Sequence, residues 1–413
     1  MDAPNSTIFP RFSTEQVTTA LTDTPVVMIV GPRQCGKTTL VQQFVNSDRA
    51  YITLDDDTAL NAARTDPTGF VRGMNRVVID EVQRVPDLLR AIKHSVDINR
   101  LPGRFLLTGS ADVLTLPQIS ESLAGRMEIA TLLPLSRAEI LKKKPQFLKQ
   151  AFAGGLSKMA EIIVGDDLVH VVLMGGYPEM LRRKNPERRR AWARDYVTAL
   201  VQRDVQEIGE VEKLQQVPKL LRVLAHHSGQ LTNFSQIGGQ LGLDGKTVRK
   251  YITILEQIFL IRQVGPWFRN QLKRVVKTPK LHFLDSGLLA EMLGAGIERI
   301  ASDRSIFGQV LETFVFSEVV KQLGWLTESH AVYHYRDKDQ DEVDLVVENS
   351  EGAIVGIEVK ASATVNTVDF RGLRKLAQVC GKKFRLGIVL YDERTTIPFG
   401  DRLFAVPLSC LWG

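Results

Sequence analysis

The feature that most constrains the fold is an apolar segment joined directly to a glycine-containing loop with phosphate-binding spacing. Residues 31–38 read Gly-Pro-Arg-Gln-Cys-Gly-Lys-Thr, between the apolar run 26–30 and the stretch 39–44. This order predicts a buried strand, a phosphate-binding loop (P-loop) and a helix. The glycines permit close backbone approach, and a helix N-terminus supplies amide N–H groups for phosphates. The segment therefore predicts a nucleoside triphosphate site.

The residues of this loop divide by expected role. Lys37 is expected to reach the β and γ phosphates, and the Thr38 hydroxyl to complete a magnesium shell. The other residues predicted to surround the phosphates are Gly31, Pro32, Arg33, Gln34, Cys35, Gly36 and Thr39.

A second segment supplies the acids that a nucleotide hydrolase needs. Residues 76–81 read Arg-Val-Val-Ile-Asp-Glu, an apolar strand that ends in two carboxylates, which is the Walker B arrangement. Asp80 is expected to hold magnesium through water, and Glu81 to orient and polarise the attacking water. Paired acids predict hydrolysis as well as binding.

A third apolar strand, residues 104–110, ends in small hydroxyl side chains. Thr108 or Ser110 is expected to serve as a polar sensor between the acids, and the sequence leaves both open. Arg126 follows in the stretch Ser-Leu-Ala-Gly-Arg and is a candidate finger for the γ phosphate of its own or a neighbouring subunit. The alternative is a structural or solvated arginine.

The C-terminal part carries a second group of acids. Glu312 lies in an apolar helix, Asp344 in a strand, and Glu358 and Lys360 in a second strand after a turn at 349–352. This layout is typical of restriction-endonuclease-like nucleases. It predicts magnesium bound by Asp344 and Glu358 with help from Glu312, while Lys360 positions water or stabilises the transition state. The alternative is a nuclease-like fold that binds without cleaving.

Between these parts, the apolar spacing predicts three short helices at 219–227, 234–241 and 246–257, then a strand at 259–261. This pattern is typical of a winged helix-turn-helix, which contacts either DNA or protein. The residues expected to contact nucleic acid lie on the third helix and in the basic stretch after it: Lys246, Arg249, Lys250, Arg269, Lys273 and Arg274.

Length and composition restrict the class of protein. The 413 residues carry a formal net charge of +6 and 44% hydrophobic residues, which is ordinary for a globular protein. No apolar run is long enough for a membrane span, and the first residues lack a secretion signal, so we expect a cytoplasmic protein without membrane association. The cysteines at 35, 380 and 410 are too dispersed to predict disulfides or zinc.

The predicted fold class is α/β, divided into four parts. Residues 1–135 form the P-loop ATPase core, 136–215 a helical lid or linker, 216–300 the winged helix and 301–413 the restriction-endonuclease-like domain.

Taken in order, these motifs resemble the prokaryotic AAA-superfamily P-loop ATPases that end in a domain of unknown function. The resemblance rests on the P-loop, Val-Val-Ile-Asp-Glu-Val-Gln, Leu-Leu-Thr-Gly-Ser, Leu-Ala-Gly-Arg, Gly-Gly-Tyr-Pro-Glu and the closing Glu-Val-Asp and Ile-Glu-Val-Lys pair. It implies an AAA+ core that uses ATP and Mg²⁺, a winged helix, and a C-terminal restriction-endonuclease-like (PD-(D/E)xK) fold. It also implies nucleotide-driven work on nucleic acid. A homo-oligomer is expected for a separate reason, since a finger that acts in trans needs a neighbouring subunit.

Two functions from different classes remain open at this point. In the first, ATP hydrolysis drives a helicase-like or translocase-like motor or switch on DNA, with the C-terminal domain gripping or cutting it. In the second, the chain is a nucleotide-dependent regulator or scaffold, and its inactive nuclease-like domain binds protein partners.

Overall fold

A computed structural model of the chain describes residues 8–110, 123, 125–159, 161–208, 214–270, 274 and 278–413. The smaller of two compact units comprises Arg11–Leu135 with Gln257–Phe259, and the larger comprises Ser136–Glu256 and Leu260–Gly413 with the residues up to Pro10. Among the described residues, no helix has both the length and the apolar composition needed to cross a membrane.

The smaller unit is built on a sheet of five parallel strands. The strands are β1 (Val26–Val30), β2 (Ala50–Thr53), β3 (Val77–Asp80), β4 (Phe105–Gly109) and β5 (Met127–Thr131), in the spatial order β2-β3-β4-β1-β5. The helices are α1 (Ser13–Asp23), α2 (Lys37–Gln42), α3 (Asp57–Thr65), α4 (Pro67–Val71) and α5 (Asp87–Ile98).

Both faces of this sheet are covered, which explains why its strands read as continuous apolar runs. Val27 and Ile29 of β1 pack in one cluster with residues of α1 and α2. Val26 and Met28 point the other way, into a cluster with α3, α4 and α5. The loops after β1 and β3 leave the same carboxyl edge of the sheet, because parallel strands all end there.

The first half of the larger unit is mostly helical. Its helices are α6 (Arg137–Ile140), α7 (Phe147–Phe152), α8 (Asp166–Met174), α9 (Pro178–Leu181), α10 (Pro186–Ile208), α11 (Val217–His226), α12 (Phe234–Leu241) and α13 (Gly245–Gln257). A small antiparallel sheet follows, formed by β6 (Gln230–Leu231), β7 (Ile261–Val264) and β8 (Lys280–Phe283), with β8 in the centre.

The second half of the larger unit is organised around a six-stranded mixed sheet. Its helices are α14 (Ser286–Leu293), α15 (Ile297–Ser302), α16 (Arg304–Leu323) and α17 (Arg371–Cys380). Its strands are β9 (His330–Arg336), β10 (Glu342–Asn349), β11 (Ile354–Val359), β12 (Phe384–Tyr391), β13 (Ile397–Gly400) and β14 (Leu403–Pro407), in the order β13-β14-β12-β11-β10-β9. Strands β10 and β11 form the antiparallel hairpin that the sequence predicts.

The local structure follows the sequence pattern closely in the middle of the chain, with one exception. The predicted helices at 219–227, 234–241 and 246–257 are confirmed as α11, α12 and α13. The predicted strand at 259–261 is wrong, because Phe259 has a φ of 58° and the strand begins only at Ile261. Left-handed backbone at an aromatic residue cannot continue an extended run. The four-part division stays a prediction.

Gly372 provides a test of how closely α17 packs on the sheet. A Cβ on Gly372 would lie 1.8 Å from the Glu342 carbonyl oxygen, so any side chain must push the helix away from β10. We expect Gly372→Ala to lower the free energy of unfolding by roughly 1–3 kcal/mol, measured by urea denaturation. Gly308→Ala is the matched control, since a Cβ on Gly308 in α16 meets nothing within 4 Å. Equal stability of both variants would contradict this packing.

Candidate functional site

The loop after β1 folds around the Lys37 side chain. The Lys37 ammonium donates to the carbonyl oxygens of Gly31 and Pro32, both at 2.9 Å, and the residue is 5% exposed. Gly31 is required by space, because a Cβ there would lie 2.0 Å from the Leu132 carbonyl oxygen. Arg11 fastens the loop from the side, since its Nη1 donates to the Cys35 carbonyl oxygen at 2.7 Å. The predicted phosphate-binding residues therefore form a compact loop at the start of α2.

Two non-glycine residues at this edge of the sheet have left-handed backbone. Gln34 in the loop has a φ of 59°, and Glu81 after β3 has a φ of 60°. Gly36, the residue before α2, has a φ of 104°. Left-handed conformations cost a non-glycine residue about 1–3 kcal/mol and persist where the surroundings enforce them. Both strained non-glycine residues belong to the predicted nucleotide site.

Asp80 is the centre of the hydrogen-bond network at the end of β3. Its Oδ2 accepts from the Thr38 hydroxyl at 2.8 Å and from the Tyr51 hydroxyl at 2.8 Å. Its Oδ1 accepts from Thr108 Oγ1, and Asp80 is only 3% exposed. A hydroxyl beside a carboxylate is an oxygen pair that suits Mg²⁺. Thr38 and Asp80 therefore fit the predicted metal-holding role.

Glu81 is held through two neighbours. Its backbone N–H donates to Thr108 Oγ1 at 3.0 Å. Its carboxylate accepts from the Gln83 side-chain amide, which also donates to Ser110 Oγ at 2.8 Å. Both candidate sensors therefore belong to the network: Thr108 contacts Asp80 and the Glu81 backbone, and Ser110 reaches the Glu81 carboxylate through Gln83.

Tyr51 and Gln83 were missed by reasoning from the sequence. Burial, followed by the hydrogen bond to Asp80, raises the pKa of Tyr51. A signal for Tyr51 exists in the strand order, because β2 lies beside β3 and Tyr51 pairs in register with Val78. Gln83 follows the paired acids by two residues, where the short 3₁₀ helix Val82–Arg84 turns its amide back towards Glu81.

Arg126 does not line the nucleotide site of its own chain, so that interpretation is wrong. It directly precedes β5, and its carbonyl oxygen accepts from the N–H of Val26, the first residue of β1. The P-loop follows the opposite end of β1, so Arg126 lies at the far edge of the sheet. Its guanidinium donates to Asp97 at 2.5 Å, and this contact lowers the pKa of Asp97.

The predicted acids of the larger unit do come together. Asp344 on β10 and Glu358 on β11 are joined by a bond from the Asp344 N–H to Glu358 Oε2 at 3.3 Å. Asp344 Oδ2 also accepts from the Val359 N–H at 3.0 Å. Lys360 lies 3.3 Å from Glu358 Oε1 and 3.5 Å from Asp369 Oδ1. The hairpin therefore gathers the acid and acid-x-lysine elements as the sequence predicts.

Lys280, which the sequence analysis missed, extends its side chain into this acidic cluster. Its Nζ lies 3.3 Å from both Glu312 Oε1 and Asp344 Oδ1, and 3.9 Å from Glu342 Oε2. The side chain is 5% exposed. One feature of the sequence indicates this role, because a lysine at the start of an apolar strand needs a buried anion as its partner.

The pKa values of the cluster follow from burial and from an excess of carboxylates. Burial and then the charge of Asp344 raise the pKa of Glu312 to about 8. The same two causes raise the pKa of Glu358 well above its usual value. Burial by itself lowers the pKa of Lys280, but the charges of Asp344 and Glu312 outweigh it, and the net shift is upward. Lys280 is therefore charged at neutral pH.

The predicted metal site of Glu312, Asp344 and Glu358 does not fit a divalent ion in this arrangement. Within the described ranges, no group of three or more His, Cys, Asp and Glu side chains is placed to hold a metal. The physical reason is that the Lys280 ammonium already occupies the space between two of the carboxylates.

The predicted nucleic-acid residues divide into exposed and buried members. Those that lie exposed are Lys246, Arg249, Lys250 and Arg269. Arg274 does not belong with them, because its guanidinium is 10% exposed, pairs with Glu348 and lies over the rings of Trp267 and Tyr333. Its assignment to a DNA contact is wrong for that reason. Lys273 falls outside the described residues.

Comparison with family profiles divides the chain into three matched regions. An AAA domain matches residues 23–141, which contain the P-loop and the paired acids. A domain of unknown function, DUF8612, matches residues 165–299, and another, DUF4143, matches residues 307–411. The chain therefore carries a P-loop AAA-type ATPase domain followed by two regions of unassigned function.

Relatives of nearly full length exist among uncharacterized proteins. Rv2008c of Mycobacterium tuberculosis and Mb2031c of Mycobacterium bovis are each 32% identical over 391 residues, which cover 94% of this chain and 81% of theirs. MJ1544 of Methanocaldococcus jannaschii is 22% identical over 343 residues, covering 79% of this chain and 73% of its own.

Two solved structures resemble the chain weakly. A RuvB protein of Thermotoga maritima has 16% identity and a TM-score of 0.27, covering 61% of this chain and 88% of its own. A signal transduction ATPase from Pyrococcus horikoshii has 12% identity and a TM-score of 0.21, covering 78% and 49%. Scores this low carry no weight for fold or function.

Gln83 offers a test of the network around Glu81. We expect Gln83→Leu to lower kcat for nucleotide hydrolysis roughly tenfold with little change in KM, because the carboxylate loses the amide that orients it. Steady-state kinetics measure both constants. Gln42→Leu, in the same unit at the end of α2, is the matched control and should keep wild-type values. A change confined to KM would contradict an orienting role.

Proposed function

Since the chain belongs to the same protein family as the uncharacterized protein Rv2008c of Mycobacterium tuberculosis and carries an AAA domain, we propose that it hydrolyses ATP to act as a switch or motor on DNA. The observation that carries the hydrolase part is the contact between Thr38 and Asp80, with Glu81 next in the chain. It joins the phosphate-binding helix to the acids at one edge of a parallel sheet.

Each residue of the site has a defined role in this proposal. Lys37 and the loop amides bind the phosphates, which places the γ phosphate near the end of β3. Thr38 and Asp80 would hold Mg²⁺, which neutralises phosphate charge when bound. Glu81 orients the attacking water and accepts its proton, and Gln83 fixes the direction of the Glu81 carboxylate.

The surface of α13 supports DNA as the partner. Lys246, Arg249 and Lys250 are exposed, and their spacing of three and four residues puts them on one face of that helix. The preceding helices α11 and α12 and the small sheet after α13 give the order of elements in a winged helix-turn-helix. In such a domain the third helix contacts DNA.

A homo-oligomer is the second part of the proposal. An arginine finger that acts on a neighbouring nucleotide requires a second subunit. Arg126 is excluded from its own site by its position before β5, so any such role is exercised in trans.

A regulator or scaffold is the second candidate, and a specific observation favours it. Two cations beside the C-terminal acids and strands, Arg274 and Lys280, are committed to internal pairs with Glu348 and with Glu312 and Asp344. Cations held in this way do not bind phosphates. The C-terminal domain then presents its surface to a protein partner instead of cutting DNA.

The hydrolase proposal is tested by Glu81→Gln. The amide keeps the size of the side chain but cannot accept a proton, so ATP binding should persist while hydrolysis falls about a hundredfold or more. Binding is measured with a fluorescent ATP analogue and turnover by phosphate release in the presence of Mg²⁺.

Two further variants complete this experiment. Lys37→Ala should lose tight ATP binding itself, because the phosphates lose their cation. Glu128→Gln, on β5 of the same unit, is the matched control and should hydrolyse ATP at the wild-type rate. Turnover by Glu81→Gln at the wild-type rate would move the base to another residue.

The DNA part of the proposal is tested by the salt dependence of binding. Replacing Lys246, Arg249 and Lys250 together by alanine should weaken duplex binding and reduce the slope of log Kd against log salt by about 2–3. Fluorescence anisotropy measures Kd over a salt series. The matched control replaces three exposed lysines of the same unit, Lys142, Lys143 and Lys144.

The outcomes separate the two candidate functions. Steep salt dependence that the α13 variant alone reduces supports action on DNA, as does stimulation of ATP hydrolysis by DNA. No binding at low salt, together with hydrolysis that ignores DNA, would overturn the DNA proposal and favour the regulator.

A further inference from the structure

The position of Lys280 is fixed by the backbone of its strand. It is the first residue of β8, the central strand of the small sheet, and it pairs in register with Leu231 on one side and Val264 on the other. A residue held from both sides has a fixed Cα position, so the side chain starts from a defined point. From there it extends to Glu312 and Asp344.

We propose that Lys280 is the resident cation of the C-terminal acidic site, in the place where a restriction-endonuclease-like domain would hold a divalent metal. The site is therefore closed to Mg²⁺ and Mn²⁺ in the native chain, and it becomes a divalent-cation site once the lysine charge is removed. This inference rests on the nuclease-like interpretation of the C-terminal acids and is independent of ATP hydrolysis.

Geometry excludes a metal while the lysine is present. The Nζ lies at equal distances of 3.3 Å from Glu312 and Asp344, so it stands where their oxygens converge. A divalent ion bound to those oxygens at about 2.0–2.2 Å would lie next to the ammonium, with strong repulsion between like charges in a buried setting. One of the two cations must leave.

The described residues around Lys280 offer its charge few partners besides Glu312 and Asp344. His282, on the same strand, lies with its Nε2 4.0 Å from Glu312 Oε1 and is only 1% exposed. Glu342, the third carboxylate near Nζ, is shared with Arg336 at 3.0 Å. An ammonium withdrawn from the acids would lose these partners in a setting where the side chain is only 5% exposed and the nearby imidazole is neutral, which makes withdrawal unfavourable.

The strand that carries Lys280 is connected by hydrogen bonds to α16, the helix that carries Glu312. The Phe283 N–H of β8 donates to Ser228 Oγ at 3.3 Å, and the same hydroxyl lies at hydrogen-bond distance, 2.9 Å, from Thr313 Oγ1 of α16. Lysine and acids thus belong to one packed assembly within the larger unit.

The test is a titration of the full-length protein with Mn²⁺ alone, without nucleotide or DNA, followed by isothermal calorimetry and by the shift in melting temperature. Lys280→Met removes the charge and keeps an unbranched apolar side chain. We expect this variant to bind Mn²⁺ at least roughly tenfold more tightly than the wild type. Adding Asp344→Asn to Lys280→Met should abolish the gain, which assigns it to this site.

Lys280→Arg is the matched control, because it keeps the positive charge and should bind Mn²⁺ no better than the wild type. Two results would overturn the proposal. The first is a Lys280→Met variant whose Mn²⁺ binding equals that of the wild type. The second is wild-type binding that Asp344→Asn removes, since the metal and the lysine would then coexist.

A buried acid without its counter-ion destabilises a protein, so Lys280→Met alone could fail to fold. A second variant keeps the proposal testable in that case. Lys280→Met combined with Glu312→Gln removes the lysine charge together with one carboxyl group that contacts it, and leaves Asp344 and Glu358 as the candidate ligands. If the single variant does not fold, this pair should show the gain over the wild type, and its absence would overturn the proposal. Loss of ATP turnover would bear on the hydrolase proposal alone.

Discussion

The hydrogen bond between Thr38 and Asp80 depends on the parallel sheet that organises the smaller unit. Parallel strands deliver their following loops to one edge, so the helix after β1 and the acids after β3 meet although about forty residues separate them in sequence. Strand β4 lies between β1 and β3 and brings Thr108 to the same point. One edge of one sheet therefore assembles the binding and hydrolytic groups, and the strained backbone at Glu81 is held there by Thr108 and Gln83.

The acidic cluster of the larger unit depends on a different requirement, which is that buried charge must be neutralised. Among the described residues, four carboxylates (Glu312, Glu342, Asp344 and Glu358) lie within 4 Å of three charged side chains, which are Lys280, Lys360 and Arg336. Such an excess of acid is tolerated only with a counter-ion or a retained proton. Burial and the charge of Asp344 raise the pKa of Glu312 and of Glu358, which favours retained protons as part of the balance.

The sequence predicts local structure and motif contacts well and long-range electrostatics poorly. Strand, loop and helix around Lys37 follow from a local pattern, as do the hairpin of Asp344 and Glu358. Arg126 does not reach the nucleotide site of its own chain, and Arg274 was misassigned, because a guanidinium looks alike in sequence whether its partner is a phosphate or a carboxylate. Asp97 and Glu348, their partners, lie 29 and 74 residues away in the chain. Only the fold brings such pairs together.

Lys280 illustrates both the need to neutralise buried charge and the difficulty of predicting long-range contacts from sequence. The sequence has two acids and a lysine in the expected order along β10, β11 and the residue after β11. The lysine that contacts Asp344 comes from another sheet, 64 residues earlier in the chain. A metal site needs its ligands and also a free position between them for the ion. The order of residues along the chain does not show whether another side chain already occupies that position. The arrangement of acid and acid-x-lysine is thus compatible with two opposite chemistries, metal-bound cleavage and metal-free binding. Here the side chain of one residue on β8 decides between them.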